Sequence, residues 1–320
     1  QMCIRDSVSY IMAPTNLVEH PPMRPQDGGW LQKEVANAVM NGKDWNSTAL
    51  IFSYDETGGW ADHVMAPHAP QSVKSERMTD PFDKKLGNQP IGPGYRLPFY
   101  IISPYTQGGH VFTEHTTHES QIMFLEKWAE AHGKPFYTKE IPKWRREQYS
   151  DLVKAFDFSK KESKVVPLPQ IPDASKDLLT GLYNGGIKCL ARNLGQRPPV
   201  PYERQDESNT LETTKGFKPV RGDLTEGRRL TFEAHGRALS HANAKLGTSR
   251  SNIDHDGDDQ LFVLQWLGTA PKDNRFHITT EKGHYITKDL SLSGNKHEAG
   301  VFSITVSYTH LRAHETREDL

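Results

Sequence analysis

The densest group of residues able to do chemistry is Asp55, Glu56, Asp62 and His63, four side chains within nine residues that bracket Gly58-Gly59. Two adjacent carboxylates at the end of an apolar run cost desolvation energy unless a cation meets them. A divalent metal or an Arg or Lys side chain answers that need. The glycines let the backbone come close to a ligand. The plainer alternative is a solvated strand exit with a capping Asp, and spacing alone leaves the two readings level. A second candidate is His20, whose backbone is restricted by Pro21-Pro22 and suits a fixed ligand-facing ring. A lone loop histidine is more often structural or exposed. The third candidate is the stretch Thr113–Ser120: His118 either faces a cleft or stands exposed while Ser120 caps the following helix, and spacing favours capping. Lys84-Lys85, Arg145-Arg146 and Arg228-Arg229 read as solvated surface charge. The sequence holds no Ser-centred nucleophile elbow, P-loop, HExxH or paired-cysteine zinc motif.

The elements that must position these residues alternate between helix and apolar strand, the pattern of an α/β sandwich. Gln26 to Gly29 reads as a turn, and Trp30 to Met40 as a helix with Leu31, Val35, Ala38 and Val39 on one face. Ala49 to Tyr54 and Pro98 to Ser103 are short continuous apolar runs, as buried parallel strands are. Each ends in a Gly-containing loop, where ligands bind in such sheets. His118 to His132 reads as a helix with Ile122, Leu125, Trp128 and Ala129 as its stripe. Residues 159–215 turn to Pro, Lys, Asp and Gly, a linker or a segment wrapping the surface. Residues 216–306 read as a small all-β domain: Leu230/Phe232, Phe262/Leu264/Trp266, Phe276/Ile278 and Phe302/Ile304 alternate with polar residues. Arg229–Phe232 leading to Gly236, and Arg275–Ile278 leading to Gly283, form a weak internal echo, as in part of a trefoil.

The 320 residues, 35 % hydrophobic and 25 % charged with a net charge of −1, suit a folded chain with a sizeable core. Neither nucleic acid nor an anionic surface is called for by global charge. No run approaches the roughly 18 apolar residues of a membrane span, so membrane contact is expected to be peripheral. Residues 1–7 and 307–320 lack apolar periodicity and resemble translated adapter sequence. Setting Cys3 aside with that leader leaves Cys189 alone and no internal disulfide to infer. Asn46-Ser47-Thr48 is a glycosylation sequon, which suits secretion.

Several long motifs resemble, in order, the later part of the phosphoesterase family of bacterial phospholipases C and acid phosphatases. They are Glu19-His20-Pro21-Pro22, Asp27-Gly28-Gly29-Trp30-Leu31, Ile51 to Val64, Gly92 to Gly109 and Thr117 to Trp128. Trp144-Arg145-Arg146-Glu147 and Gly216 to Gly222 look most like the fungal, phosphatidylglycerol-specific phospholipase C branch. The resemblance implies an alkaline-phosphatase-like α/β sandwich over residues 8–158, of which the C-terminal half is present. It also implies phosphoester hydrolysis on a phospholipid or small phosphoester, assisted by a divalent metal of unspecified identity. By motif match, Asp55 and Glu56 are expected as metal ligands. His20 is expected at the phosphoryl group or leaving oxygen, and Glu56, His63 and His118 in the same pocket. Thr117 stands where the family usually has Asp. The family's Glu-Asn metal site and hydroxyl nucleophile are expected upstream of Val8, so the chain alone is expected to turn over little. A carbohydrate- or lipid-binding β module, using aromatics such as Trp266 or Tyr285, is the competing expectation.

Overall fold

The structure, a computed structural model, describes residues 8–58, 62, 66–195, 218–252, 258–268, 273–305 and 311–313. In chain order it contains α1 (Pro25–Met40), β1 (Leu50–Ser53), β2 (Arg77–Thr79), β3 (Asn88–Pro90), β4 (Phe99–Ile102), β5 (Val111–Phe112), α2 (His118–Ala131), α3 (Lys143–Gln148) and α4 (Gly185–Asn193). Strands follow: β6 (Lys218–Arg221), β7 (Arg229–Ala234), β8 (Arg237–Ala242), β9 (Lys245–Arg250), β10 (Phe262–Trp266), β11 (Arg275–Thr280), β12 (Tyr285–Ile286), β13 (Leu292–Ser293), β14 (Phe302–Ser303) and β15 (Leu311–Ala313). These elements fall into two compact units, each drawn from three separate stretches of chain. The first takes residues 1–62, 96–104 and 162–210, and the second takes 63–95, 105–161 and 211–320. Among the described residues, no helix is long and apolar enough to cross a membrane.

In the first unit, α1 starts five residues earlier than its apolar period suggests. Pro25 at its first turn has a preset φ and no N–H to satisfy. Asp27, 1 % exposed, holds Arg24 through two bonds of 2.7 and 2.9 Å and favours the positive end of the helix. The expected Gln26–Gly29 turn is therefore helical. Its buried face is also rotated from the expected one: Ala36 and Met40 pack with Trp45 against Val39, Leu50, Phe52, Ile102, Val165 and Leu168. The strands β1 and β4 pair antiparallel, Leu50 opposite Ile102 and Ser53 opposite Phe99. This corrects the parallel reading. Both strands are only half-buried, and they pack on α1 through Leu50, Phe52 and Ile102.

The second unit is a mixed helix and sheet body. Its sheet runs β13-β12-β11-β10-β7-β15-β6-β5 among the described residues, with β14 on β11, β8 on β7 and β9 on β8. All pairings are antiparallel except β5 with β6. The alternation seen in the sequence is realised as the core: Val111, Val220, Leu230, Phe262, Leu264, Phe276, Ile278 and Ile286 are buried together. The echo corresponds to two hairpins. One turns at His235-Gly236, with φ of 51° and 74°, the other at Gly283 with φ of 79°, conformations that favour glycine. In α2 the deepest residues are Ser120, Met123, Glu126 and Ala129, while Ile122 is exposed.

Arginine pairs read as surface charge are internal ties of this unit. Arg145 donates to Glu76 at 2.9 Å and to Glu119. Arg146 grips Glu126 at 2.6 and 2.9 Å and lies 3.9 Å over the Tyr137 ring. Arg228 donates to the Thr113 carbonyl at 2.9 Å. Guanidinium forks make such two-point contacts well. The β-module aromatics are likewise occupied: the Trp266 indole N–H donates to the Asp273 carbonyl at 2.6 Å, and Tyr285 stands edge-on to His277.

Candidate functional site

The acidic loop leaves the end of β1 in the first unit. Ser53 ends the strand, and Asp55 and Glu56 follow on exposed backbone. The Asp55 carboxylate accepts the Glu56 N–H at 3.1 Å, and the Glu56 carboxylate accepts the Gly58 N–H at 2.6 Å. Gly58 has φ of 66°, which closes this tight return without side-chain strain. The two acids are thus adjacent and each has one oxygen tied to the loop's own amides.

Asp62 behaves differently from the cluster it was grouped with. Arg96 holds it by two bonds, Nε to Oδ2 at 2.8 Å and Nη2 to Oδ1 at 2.9 Å. The cation that the carboxylate density called for is therefore a protein side chain in this one case. His63 lies outside the described residues. His118, the first residue of α2, is exposed and belongs to the second unit. Ser120 reaches back to the Thr117 N–H at 3.0 Å, the capping arrangement that spacing favoured.

His20 is exposed, and its Nδ1 lies 2.7 Å from the Pro21 carbonyl oxygen. A carbonyl only accepts, so this bond requires the proton on Nδ1 and leaves Nε2 as the acceptor of the neutral ring. The link between His20 and the acidic loop runs through their neighbours. The Gln32 amide on α1 donates to Glu19 at 2.8 Å and to the Tyr54 hydroxyl at 2.8 Å. The Tyr100 hydroxyl on β4 donates back to the Gln32 carbonyl oxygen. Gly28 makes room for this: a Cβ there would sit 2.3 Å from the Glu19 Cγ. Burial pushes the Tyr100 phenol up to about 12, with Tyr54 and Glu19 adding to it. Burial also raises Tyr54, and Glu19 contributes in the same direction. Both hydroxyls stay protonated at neutral pH and serve as hydrogen-bonding anchors.

Sequence reasoning singled out His20, Asp55 and Glu56 but missed Gln32, Tyr100 and Arg96. Gln32 could have been noticed as a polar residue beside Leu31 and Val35 on a helix read as apolar there. The structure brings Asp55 and Glu56 together and ties the residue before His20 to the residue before Asp55. Among the described residues no three His, Cys, Asp or Glu side chains converge as a metal cage. Two exposed carboxylates with inward-bonded oxygens fall short of the roughly six oxygen ligands a hard divalent ion takes. The described donors therefore do not by themselves fit the expected metal.

Residues 7–130 match the model of the Phosphoesterase family. The chain is 35 % identical over 179 residues to the non-hemolytic phospholipase C of Burkholderia pseudomallei, covering 52 % of this chain and 25 % of that protein. It is 35 % identical over 185 residues to the non-hemolytic phospholipase C of Pseudomonas aeruginosa, covering 53 % and 25 %. With phospholipase C A of Mycobacterium tuberculosis it shares 30 % over 231 residues, covering 67 % and 41 %. The chain spans about a quarter of the length of the first two relatives. The motifs around His20, Asp55 and His118 fall inside the region that is similar to the Phosphoesterase family.

Proposed function

We propose that this chain is part of a phospholipase C-type phosphoester hydrolase acting on glycerophospholipids. The observation that carries the reading is that the family match covers the Asp55-Glu56 loop and His20, and that Gln32 joins Glu19, next to His20, to Tyr54, next to Asp55. In this reading His20, carrying a proton on Nε2 as well as the one on Nδ1, donates to the phosphoryl group or gives that proton to the departing oxygen. Asp55 and Glu56 are held at a strand end where negative charge can orient a cation or a proton. His63 and His118 are proposed for the same pocket. The divalent metal enters only as an ion that Asp55 would hold with donors beyond the described ones, and no step is assigned to it. An alkaline-phosphatase-like sandwich and the fungal, phosphatidylglycerol-directed branch are carried as parts of the proposal. So are secretion and hydrolysis by the complete protein rather than by this chain alone.

The relatives are phospholipases C by name, which favours this substrate class over the phosphomonoesters of an acid phosphatase. The test is hydrolysis of phosphatidylglycerol, phosphatidylcholine and a chromogenic phosphomonoester by a complete protein containing this chain. The wild type, with and without chelator, is run beside Asp55→Asn and His20→Asn. Loss of lipid hydrolysis in both variants supports the assignment. A well-folded protein inactive on all three substrates overturns it, and a preference for the monoester moves it to the phosphatase.

A further inference from the structure

The residue that follows His118 is held from another part of the second unit. Glu119, in the first turn of α2, accepts from Nη1 of Arg145 on α3. Nε of the same guanidinium donates to Glu76 at 2.9 Å. Glu76 is 0 % exposed and stands immediately before β2, where its backbone carbonyl accepts the Ile91 N–H at 3.0 Å. A buried carboxylate is costly unless a cation meets it. Glu76 therefore fixes the guanidinium plane and leaves Nη1 for Glu119. Burial raises the Glu119 carboxyl, but hydrogen bonds, that of Arg145 among them, hold it below its ordinary 4.5, so it is charged at neutral pH. On the other side of His118, the Thr117 N–H donates to the Ser120 hydroxyl at 3.0 Å. His118, itself exposed, is thus bracketed by two held neighbours. Arg146 grips Glu126 about two turns further along α2, which secures the body of the helix, whereas Arg145 reaches its start.

We propose that Arg145 is a positioning residue for the hydrolase: through Glu119 it fixes the first turn of α2, and with it the direction in which His118 is presented. The inference rests on the phospholipase reading above, in which His118 serves the pocket. A helix begins with unsatisfied N–H groups and frays at its ends. A side chain at the first helical position inherits that freedom unless the turn is tied down. The Ser120 cap closes the turn locally but does not aim it relative to its surroundings. The chain Glu119–Arg145–Glu76 does, because it ends on a buried group. A planar guanidinium serves two carboxylates in fixed directions, which the point charge of a lysine does not. Misplacing a reacting group by about 1 Å costs about a hundredfold in rate, so partial loosening of this turn is visible in kcat. Groups that bind the substrate elsewhere are untouched, so KM changes little.

The experiment has two arms. In the full chain, amide hydrogen exchange is read at residues 118–121 in the wild type, Glu119→Ala and Arg145→Lys. Exchange there is expected to be about tenfold faster in both variants, as local opening of one turn produces. In a complete protein containing this chain, kcat and KM are measured on a short-chain phosphatidylglycerol. Glu119→Ala is expected to lower kcat by about tenfold with KM nearly unchanged. Glu119→Gln, which keeps an oxygen for Arg145, is expected to recover most of that loss. In a His118→Asn background, Glu119→Ala is expected to cost nothing further, since both act through one group. Should Arg145→Lys not fold, the Glu119 variants decide the matter. Unchanged exchange in Glu119→Ala, or a loss that adds in full to that of His118→Asn, overturns the proposal. A slow His118→Asn beside a Glu119→Ala as fast as wild type overturns this inference and leaves the function standing. A wild type inactive on every phosphoester overturns the function and the positioning role with it.

Discussion

Replacing Gln32 by Leu keeps the bulk of the side chain and removes the amide that joins Glu19, Tyr54 and Tyr100. Three hydrogen bonds are lost: the amide to Glu19, the amide to Tyr54 and Tyr100 to the amide oxygen. A neutral bond is worth about 0.5–1.5 kcal/mol and one to a carboxylate about 1.5–3 kcal/mol. Tyr100 is 38 % exposed and can turn to water, so its share falls at the low end. The expected loss is about 2.5–5 kcal/mol, read as a lower urea midpoint with an unchanged slope. The change also removes the Gln32 bond to Tyr54, next to Asp55, so hydrolysis by the complete protein is expected to fall by about a factor of ten to a hundred, as misplacement of a reacting group does. A double-mutant cycle with Tyr54→Phe separates the network from simple packing. Strictly additive losses, or a Gln32→Leu midpoint within about 0.5 kcal/mol of wild type, would refute the idea that this amide braces the loop.

Gly28→Ala is expected to lower stability by about 1–2 kcal/mol in urea titration, because overpacking against Glu19 outweighs the helix propensity gained. Arg146→Met is expected to cost about 3–5 kcal/mol, since it strands the buried Glu126. The Arg146 bond holds the Glu126 carboxyl below its ordinary value of 4.5. Its contribution is therefore present above that value and lost as pH falls through the lower native one. The gap between wild type and Arg146→Met should shrink between about pH 7 and about pH 3. A gap constant over that range speaks against the pair.

What was legible in the sequence and what was not divides along the range of the interaction. The period-two alternation of Leu230, Phe262, Leu264 and Phe276 is local, and a sheet core lies where it pointed. The capping role of Ser120 at the start of α2 is equally local. The antiparallel pairing of β1 and β4 was not, because a four-residue apolar run has the same pattern in either direction. The start of α1 was missed because Gly28 and Gly29 look like a turn until Arg24 and Asp27 are seen to pair. Polar partners far apart in the chain leave no period at all. Arg145 for Glu76 and Arg146 for Glu126 looked like solvent-facing charge until packing placed them, and nothing local marked Arg96 as the partner of Asp62. The candidate site shows the same division. Residue types suggested a chemistry but gave no sign of Gln32, a helix residue whose partners lie on a loop ahead of α1, at the end of β1 and on β4. Charge near a reacting phosphoryl group is useful only where it is held, since preorganised dipoles need no rearrangement during the reaction. The bracing amide is therefore as much a part of the proposed site as the acids it steadies, and substitutions at Gln32 should track those at Asp55 in activity while leaving the β-rich sheet untouched.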